Sequence, residues 1–125
     1  MNIIIDTHIF LWLANGDLKK IKSNHLEAIE DLNNNIYLSS ISVAEIMIKK
    51  SIGNLVFDGD ILDIVGEMGI DILDFDAKSA LYLGSLPFHH RDPFDRMIIS
   101  QSLSCNYTII TVDSKFKKYD CKILK

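Results

Sequence analysis

The chain is short of the residues that staple, span or break structures. It has two cysteines and two prolines. Cys105 and Cys121 form no CxxC pair, so no disulfide framework is expected, and two idle thiols in a reducing cytoplasm is the simpler reading. No apolar run is long enough to span a bilayer, which excludes a membrane protein of the helical kind. The opening MNIII has neither the basic n-region nor the cleavage site of a secretory leader, so a cytoplasmic location is expected. Positive charge is also scarce, and the net charge is −4. That argues against a passive nucleic-acid binder held by phosphate neutralisation. It leaves room for an enzyme whose metal ions face a phosphate. Repeats, low-complexity tracts and Pro/Gly/Ser linkers are missing too. One domain over residues 1–125 is the economical reading.

What is present is a rhythm. Hydrophobic residues make up 48% of the chain and charged residues 24%, an ordinary globular balance. NIII, residues 2–5, reads as a strand buried on both faces. THIFLWLAN follows with apolar residues at helical spacing. SNHLEAIEDLNNN predicts an amphipathic helix with Leu26, Ile29 and Leu32 on one stripe, ended by Asn33 to Asn35. IYLSS predicts a second strand, SVAEIMIKKSIGNL a helix stopped near Gly53, GDILDIVGEMG another helix and IDILDF a third strand. DAKSALYLGSL reads as a short helix. DPFDRMIISQSLSCN is a well-marked one, with Asp92 as N-cap and Pro93 in the first turn. YTIITVD predicts a fourth strand, SKFKKY a helical turn, and CKIL a fifth strand. Strands that alternate with helices predict an α/β fold: a central parallel sheet flanked by helices on both faces, an α/β/α sandwich. Sites in such sheets lie beyond the carboxyl ends of the strands.

Acids fall at those ends. Asp6 ends the first strand and Asp113 the fourth. Glu45 and Asp95 each stand three residues after a capping residue, Ser42 and Asp92. Each has a plain structural explanation. Asp6 and Asp113 suit helix N-caps, SVAE matches a capping box, and DPFD places Asp95 where a negative charge suits the helix dipole. Such caps contribute about 0.5–2 kcal/mol each. Together the four acids need more, because they repel one another at one sheet edge and a cation is the simplest compensation. Carboxylates without a His or Cys cluster suit hard ions, Mg²⁺ or Mn²⁺. Phosphodiester hydrolysis uses such a centre.

MNIIIDTHIFLWLANGD, SSISVAEIMIKKSIGNL, LPFHHRDPFDRMIISQSL and YTIITVDSKFKKYD together resemble a PIN-domain protein, and within that family the small VapC-type ribonuclease toxins of type II toxin–antitoxin pairs. The resemblance runs from Met1 to about Asp120. It implies the PIN-like form of the α/β/α sandwich and a metal-dependent endoribonuclease that cleaves RNA by metal-activated water. It also implies Mg²⁺ or Mn²⁺ as cofactor, a cognate antitoxin as partner, and a homodimer. Carried over residue by residue, the catalytic and metal-holding acids are Asp6, Glu45, Asp95 and Asp113. Thr111 matches a position whose hydroxyl lies near the metal. Thr7 orients Asp6. Asp92 holds a metal through water or, more simply, caps its helix. Arg96 meets a phosphate or an antitoxin residue. Trp12 is shared between core and dimer face.

Other residues carry blander readings. His8 is structural or supports Asp6. His89 and His90 are a solvated loop pair or reach RNA. A surface pair of Lys49 with Glu45 is expected, worth about 0.2–0.5 kcal/mol. Lys115, Lys117 and Lys118 form a small basic patch beside the cleft. The alternative function is a catalytically silent PIN-like binding module whose acidic pocket takes a basic partner segment. Against it stands the complete set of acids.

Overall fold

The structure, a computed structural model, describes residues 1–125. Four parallel strands form one sheet in the order β3-β2-β1-β4. They are β1 (Asn2–Ile5), β2 (Asn35–Ser39), β3 (Asp71–Leu73) and β4 (Thr108–Ile110). In register, Ile5 of β1 faces Leu38 of β2 on one side and Ile110 of β4 on the other. The helices are α1 (Thr7–Asn15), α2 (Ser23–Glu30), α3 (Ser40–Ser51), α4 (Ile61–Glu67), α5 (Ala77–Leu81) and α6 (Pro93–Cys105).

The pleat sorts the isoleucines between two cores. Successive residues of a strand face opposite sides of its sheet. Ile3 and Ile5 pack with Ile9, Phe10, Leu38, Ile46, Ile61 and Val65 on one face. Ile4 packs with Ile98, Ile99, Ile109 and Phe116 on the other. Each fully buried side chain of this size contributes about 1.5–3 kcal/mol of hydrophobic stabilisation. β1 is covered on both faces, as its unbroken apolar run requires.

Three expected elements are shorter or absent. α2 stops at Glu30, because Asp31 begins an Asx turn: its carboxylate accepts the Asn33 amide, and Asn34 donates to the Ala28 carbonyl. Leu32 therefore leaves the expected stripe and is fully exposed. The predicted fourth strand runs to Asp113, but pairing ends at Ile110. β1 has no further residue to offer there, and the Asp6 amide takes the Ile110 carbonyl at 3.1 Å. The fifth strand is reduced to one parallel bridge between Ile109 and Ile123. Lys122 and Leu124 exchange backbone hydrogen bonds with Ile109 around it.

The helix after β2 also starts elsewhere than expected. Ser39, not Ser42, is its N-cap, and the Ser39 hydroxyl accepts the Ile41 amide. Glu45 thus sits in the second turn of α3, and the expected Ser42–Glu45 capping box does not form. Ser42 is buried instead.

Candidate metal centre

The carboxyl ends of β1, β2 and β4 and the first turn of α6 meet at one edge of the sheet. Asp6 leaves β1 and caps α1: its Oδ1 accepts the Ile9 amide at 2.9 Å. Its Oδ2 accepts a hydrogen bond from the Thr111 hydroxyl, two residues before Asp113. Asp6 is 3% exposed. Burial pushes its carboxyl above the usual range, and the Thr111 and Ile9 donors offset only part of that.

Thr7 turns to Glu45. Its Oγ1 lies 2.8 Å from Glu45 Oε1 and 2.8 Å from Ser42 Oγ. A hydroxyl has one proton, and the carboxylate is the stronger acceptor, so Ser42 supplies the second hydrogen. The first and second acids are thereby tied to adjacent residues of one turn. Glu45 Oε2 accepts from Lys49 Nζ at 2.7 Å. The Glu45 end of that pair is almost fully buried, so it is more than the surface pair expected from the spacing. Glu45 holds Lys49 above its ordinary pKa.

Asp92 caps α6 through its Oδ1, which accepts the Phe94 amide at 2.8 Å and the Asp95 amide at 3.2 Å. Asp95 follows in the first turn. Its carboxyl is pushed up to about 7, chiefly by burial and then by the charges of Asp92, Glu45 and Asp6, with His90 pulling the other way. Asp113 caps the 3-10 turn Ser114–Lys118. Burial raises it, but the Lys115 amide and the His90 ring outweigh burial and hold it below the usual range. Each of the four acids is therefore either hydrogen-bonded within this edge or electrostatically coupled to the others.

His90 is the residue that sequence reasoning left in solvent. It is buried, and its Nε2 lies 2.9 Å from Asp113 Oδ2 and 3.0 Å from Asp95 Oδ2. The Asp92 amide donates to its Nδ1 at 3.2 Å. That pattern assigns a proton to Nε2, so the ring donates to the two acids while its Nδ1 lone pair accepts the Asp92 amide. The loop that carries it is tied down from below. Tyr119 Oη accepts the His89 and His90 amides at 3.0 and 2.8 Å. Arg96 donates to the carbonyls of Leu86, Pro87 and His90 and to Tyr119 Oη, and its guanidinium lies 4.3 Å from the centre of the Phe88 ring. In this structure Arg96 anchors the loop that carries His90. The HH doublet beside DPFD was the available signal, but nothing in it distinguishes the exposed His89 from the buried His90. His8 is exposed and lies against Trp12 on α1, where its charge lowers the Asp6 carboxyl slightly against the effect of burial.

The donor set fits a hard divalent ion. His90, Asp95 and Asp113 bring three ligand-type atoms within 4.8 Å of one another. Oxygen donors dominate, the raised Asp95 carboxyl binds a proton more readily than a free one and a cation would compete with that proton, and the ring reinforces the carboxylates.

No curated protein sequence matches the chain at a significant level. Solved structures do match it. The VapBC2 structure from Rickettsia felis, bound to a DNA fragment from its promoter, superposes with a TM-score of 0.71 at 24% identity, over 100% of this chain and 98% of that one. VapBC-1 from nontypeable Haemophilus influenzae gives 0.69 at 20%, over 100% and 98%. DNA-bound VapBC from Salmonella typhimurium gives 0.69 at 17%, over 99% and 97%. Likeness at these identities concerns the fold. The PIN domain model matches residues 3–122. With that match, the parallel sheet and the acids gathered at its carboxyl edge, the chain belongs to the PIN domain family.

Proposed function

We propose that the chain is a metal-dependent endoribonuclease that hydrolyses RNA phosphodiester bonds, and that it is the toxin of a type II toxin–antitoxin pair. The observation that carries the proposal is the gathering of Asp6, Glu45, Asp95 and Asp113 at the carboxyl edge of the sheet, held there by Thr111, Thr7 and His90. A carboxyl raised to about 7 by burial and by Asp92, Glu45 and Asp6 marks a pocket with more negative charge than its own side chains neutralise. A cation relieves that imbalance.

Asp6, Glu45, Asp95 and Asp113 are the residues that would hold it. An Mg²⁺ or Mn²⁺ ion supplies Lewis acidity, neutralises phosphate charge and makes water nucleophilic at neutral pH. The protein supplies rigidity. Thr111 and the Ile9 amide fix both oxygens of Asp6. Thr7, with Ser42 behind it, fixes Glu45. The Nε2 hydrogen of His90 steadies Asp95 and Asp113 together. Asp92 serves as the helix cap and sets the His90 ring through its amide.

The partner reading rests on the similar solved structures, which are VapBC assemblies. It also rests on apolar side chains left exposed on α3, Met47 and Ile48, and at its C-cap, Ile52. A cognate antitoxin and a second copy of the chain are the proposed occupants of such surface, and the cytoplasm is the proposed compartment.

Cleavage of total RNA by the purified chain, freed of any partner, tests the activity. Discrete fragments should form with Mn²⁺ or Mg²⁺ and vanish with EDTA and with Asp95→Asn. Equal cleavage by the variant would overturn the assignment.

A further inference from the structure

The metal centre carries one ammonium group of its own, that of Lys49 on α3. Glu45 and Lys49 stand four residues apart and share a face of the helix. Lys49 Nζ lies 2.7 Å from Glu45 Oε2. The two ends of the pair differ: the Glu45 side chain is 4% exposed and that of Lys49 42%. Thr7 fixes the other oxygen of the buried carboxylate, so Glu45 anchors the ammonium at the rim of the acids. The Glu45 hydrogen bond raises the Lys49 pKa most, burial opposes it, and the charges of Glu45, Asp92 and Asp95 add to it. The ammonium therefore faces the first turn of α6 as well as Glu45.

Two further observations set this pair apart from an ordinary surface pair. The first is where the ligand-type atoms gather. His90, Asp95 and Asp113 bring theirs within 4.8 Å of one another. Glu45 is not in that group, and its oxygens accept from Thr7 and Lys49. The edge thus offers one ion-sized cluster and, beside it, one fixed ammonium. The second is that the ammonium is left incomplete. It has three hydrogens to donate, and Glu45 is its one acceptor. No other lysine and no arginine forms an ion pair with an acid of this edge. Arg96 is committed to carbonyls and to the Tyr119 hydroxyl.

We propose that Lys49 is a further catalytic residue, whose ammonium stands where other phosphodiesterases place a second metal ion and donates to a non-bridging oxygen of the phosphate that is cut. The inference rests on the ribonuclease reading above. In centres with paired ions, about 3.5–4 Å apart, the two cations share the charge that builds on the phosphate oxygens. Here one ion held by the acids and one ammonium held by Glu45 share it. Hydrolysis forms a bond from a water oxygen to phosphorus and breaks the bond from phosphorus to a ribose oxygen. The water's hydroxyl stays on phosphorus, and its proton passes through solvent to the ribose oxygen. Lys49 keeps its own proton throughout and contributes charge and position.

The test pairs Mn²⁺ calorimetry, without RNA, with cleavage kinetics at saturating Mn²⁺. Lys49→Gln keeps a donor for Glu45 and removes the charge. Lys49→Arg keeps the charge. Lys50→Gln, at the exposed neighbouring position of α3, is the control. Wild type should bind one Mn²⁺ per chain. Relieved of a neighbouring positive charge, Lys49→Gln should bind Mn²⁺ several-fold more tightly. It should nevertheless lose about 10²–10³ in kcat, the effect of removing one preorganised donor, with little change in KM. Lys49→Arg should recover most of the kcat, and Lys50→Gln should match wild type. Tighter Mn²⁺ binding with lower kcat is the signature of a charge that acts on the phosphate, because loss of a mere prop for Glu45 weakens the ion. Weaker Mn²⁺ binding by Lys49→Gln overturns the proposal, as does an unchanged kcat or a second Mn²⁺ on the wild-type chain. A wild-type chain that binds Mn²⁺ and cleaves no RNA overturns the ribonuclease reading itself, and so the two failures are distinguishable.

Discussion

His90 Nε2 lies 2.9 Å from Asp113 and 3.0 Å from Asp95, with its proton directed at both. One donor thus holds together two carboxylates that would otherwise repel each other. His90→Ala frees them. Outer groups of this kind are worth about 10–100-fold in metal affinity. Calorimetric titration with Mn²⁺ should show His90→Ala weakened by that order. His90→Gln, whose amide can place a donor near the same point, should recover most of it. A His90→Ala chain with wild-type Mn²⁺ affinity would remove His90 from the site.

Arg96 acts on the same centre at one remove. Its guanidinium serves carbonyls on the 86–90 loop and the Tyr119 hydroxyl. A carbonyl left without its donor costs about 1–3 kcal/mol where it is buried. Arg96→Ala should lower unfolding stability by an amount of that order and raise the mobility of His90. Arg96→Lys should not rescue it, because an ammonium cannot reach several carbonyls in one plane. Denaturant melts read the first effect. Amide hydrogen exchange at His89 and His90 reads the second, and unchanged exchange there would contradict the anchoring role.

Much of this was legible in the sequence, for physical reasons. Ile3 to Ile5 and Ile109 to Ile110 are apolar and β-branched at every position, which only a strand buried on both faces needs. The Asp92–Pro93 pair marks a helix start that tertiary structure did not move. Asp6 could be read because it follows such a strand directly, and Asp95 because it stands in the first turn of a helix marked by Asp92 and Pro93. What escaped depended on contacts between distant segments. Ser39 and Ser42 are equally good caps on paper. Ser39 takes the role because β2 pairing runs to it, and Ser42 is drawn to Thr7, 35 residues earlier. Leu32 fitted a helical stripe, but the Asp31 carboxylate captured the Asn33 amide first. His90 needed Tyr119, 29 residues later, to bring it inward.

Asp95 and Asp6 make a pH prediction with a definite sign. Asp95 has an ordinary value of 3.8 and sits at about 7 in the fold. Between those two values the folded chain holds a proton that the unfolded chain releases. Stability of the metal-free protein therefore falls as pH rises through that window. Asp6, also raised, acts the same way. Asp113, lowered, acts oppositely, and its contribution is lost only as pH drops below the usual carboxylate range. In EDTA the chain should melt higher at pH 5 than at pH 8. Mn²⁺ should raise Tm more at pH 8, where no proton competes for Asp95. The reverse trend in both series would contradict the coupling of these acids.

Asp6→Asn separates function from folding. Asparagine keeps an acceptor for the Ile9 amide, so the α1 cap survives. It also removes a buried charge that the fold holds at a disadvantage. The metal-free variant should melt no lower than wild type, while its Mn²⁺ response and RNA cleavage are lost. A large drop in metal-free Tm would show that the Asp6 charge is structural.

The central claim is that the four acids direct water at the phosphorus of RNA. Cleavage of an RNA substrate in H₂¹⁸O, with the fragments weighed by mass spectrometry, tests it most directly. The account predicts one ¹⁸O atom in the terminal phosphate of the newly made fragments, in a reaction that needs Mn²⁺ or Mg²⁺. Fragments that end in a 2′,3′-cyclic phosphate without ¹⁸O would mean that the ribose hydroxyl was the nucleophile, and would contradict it.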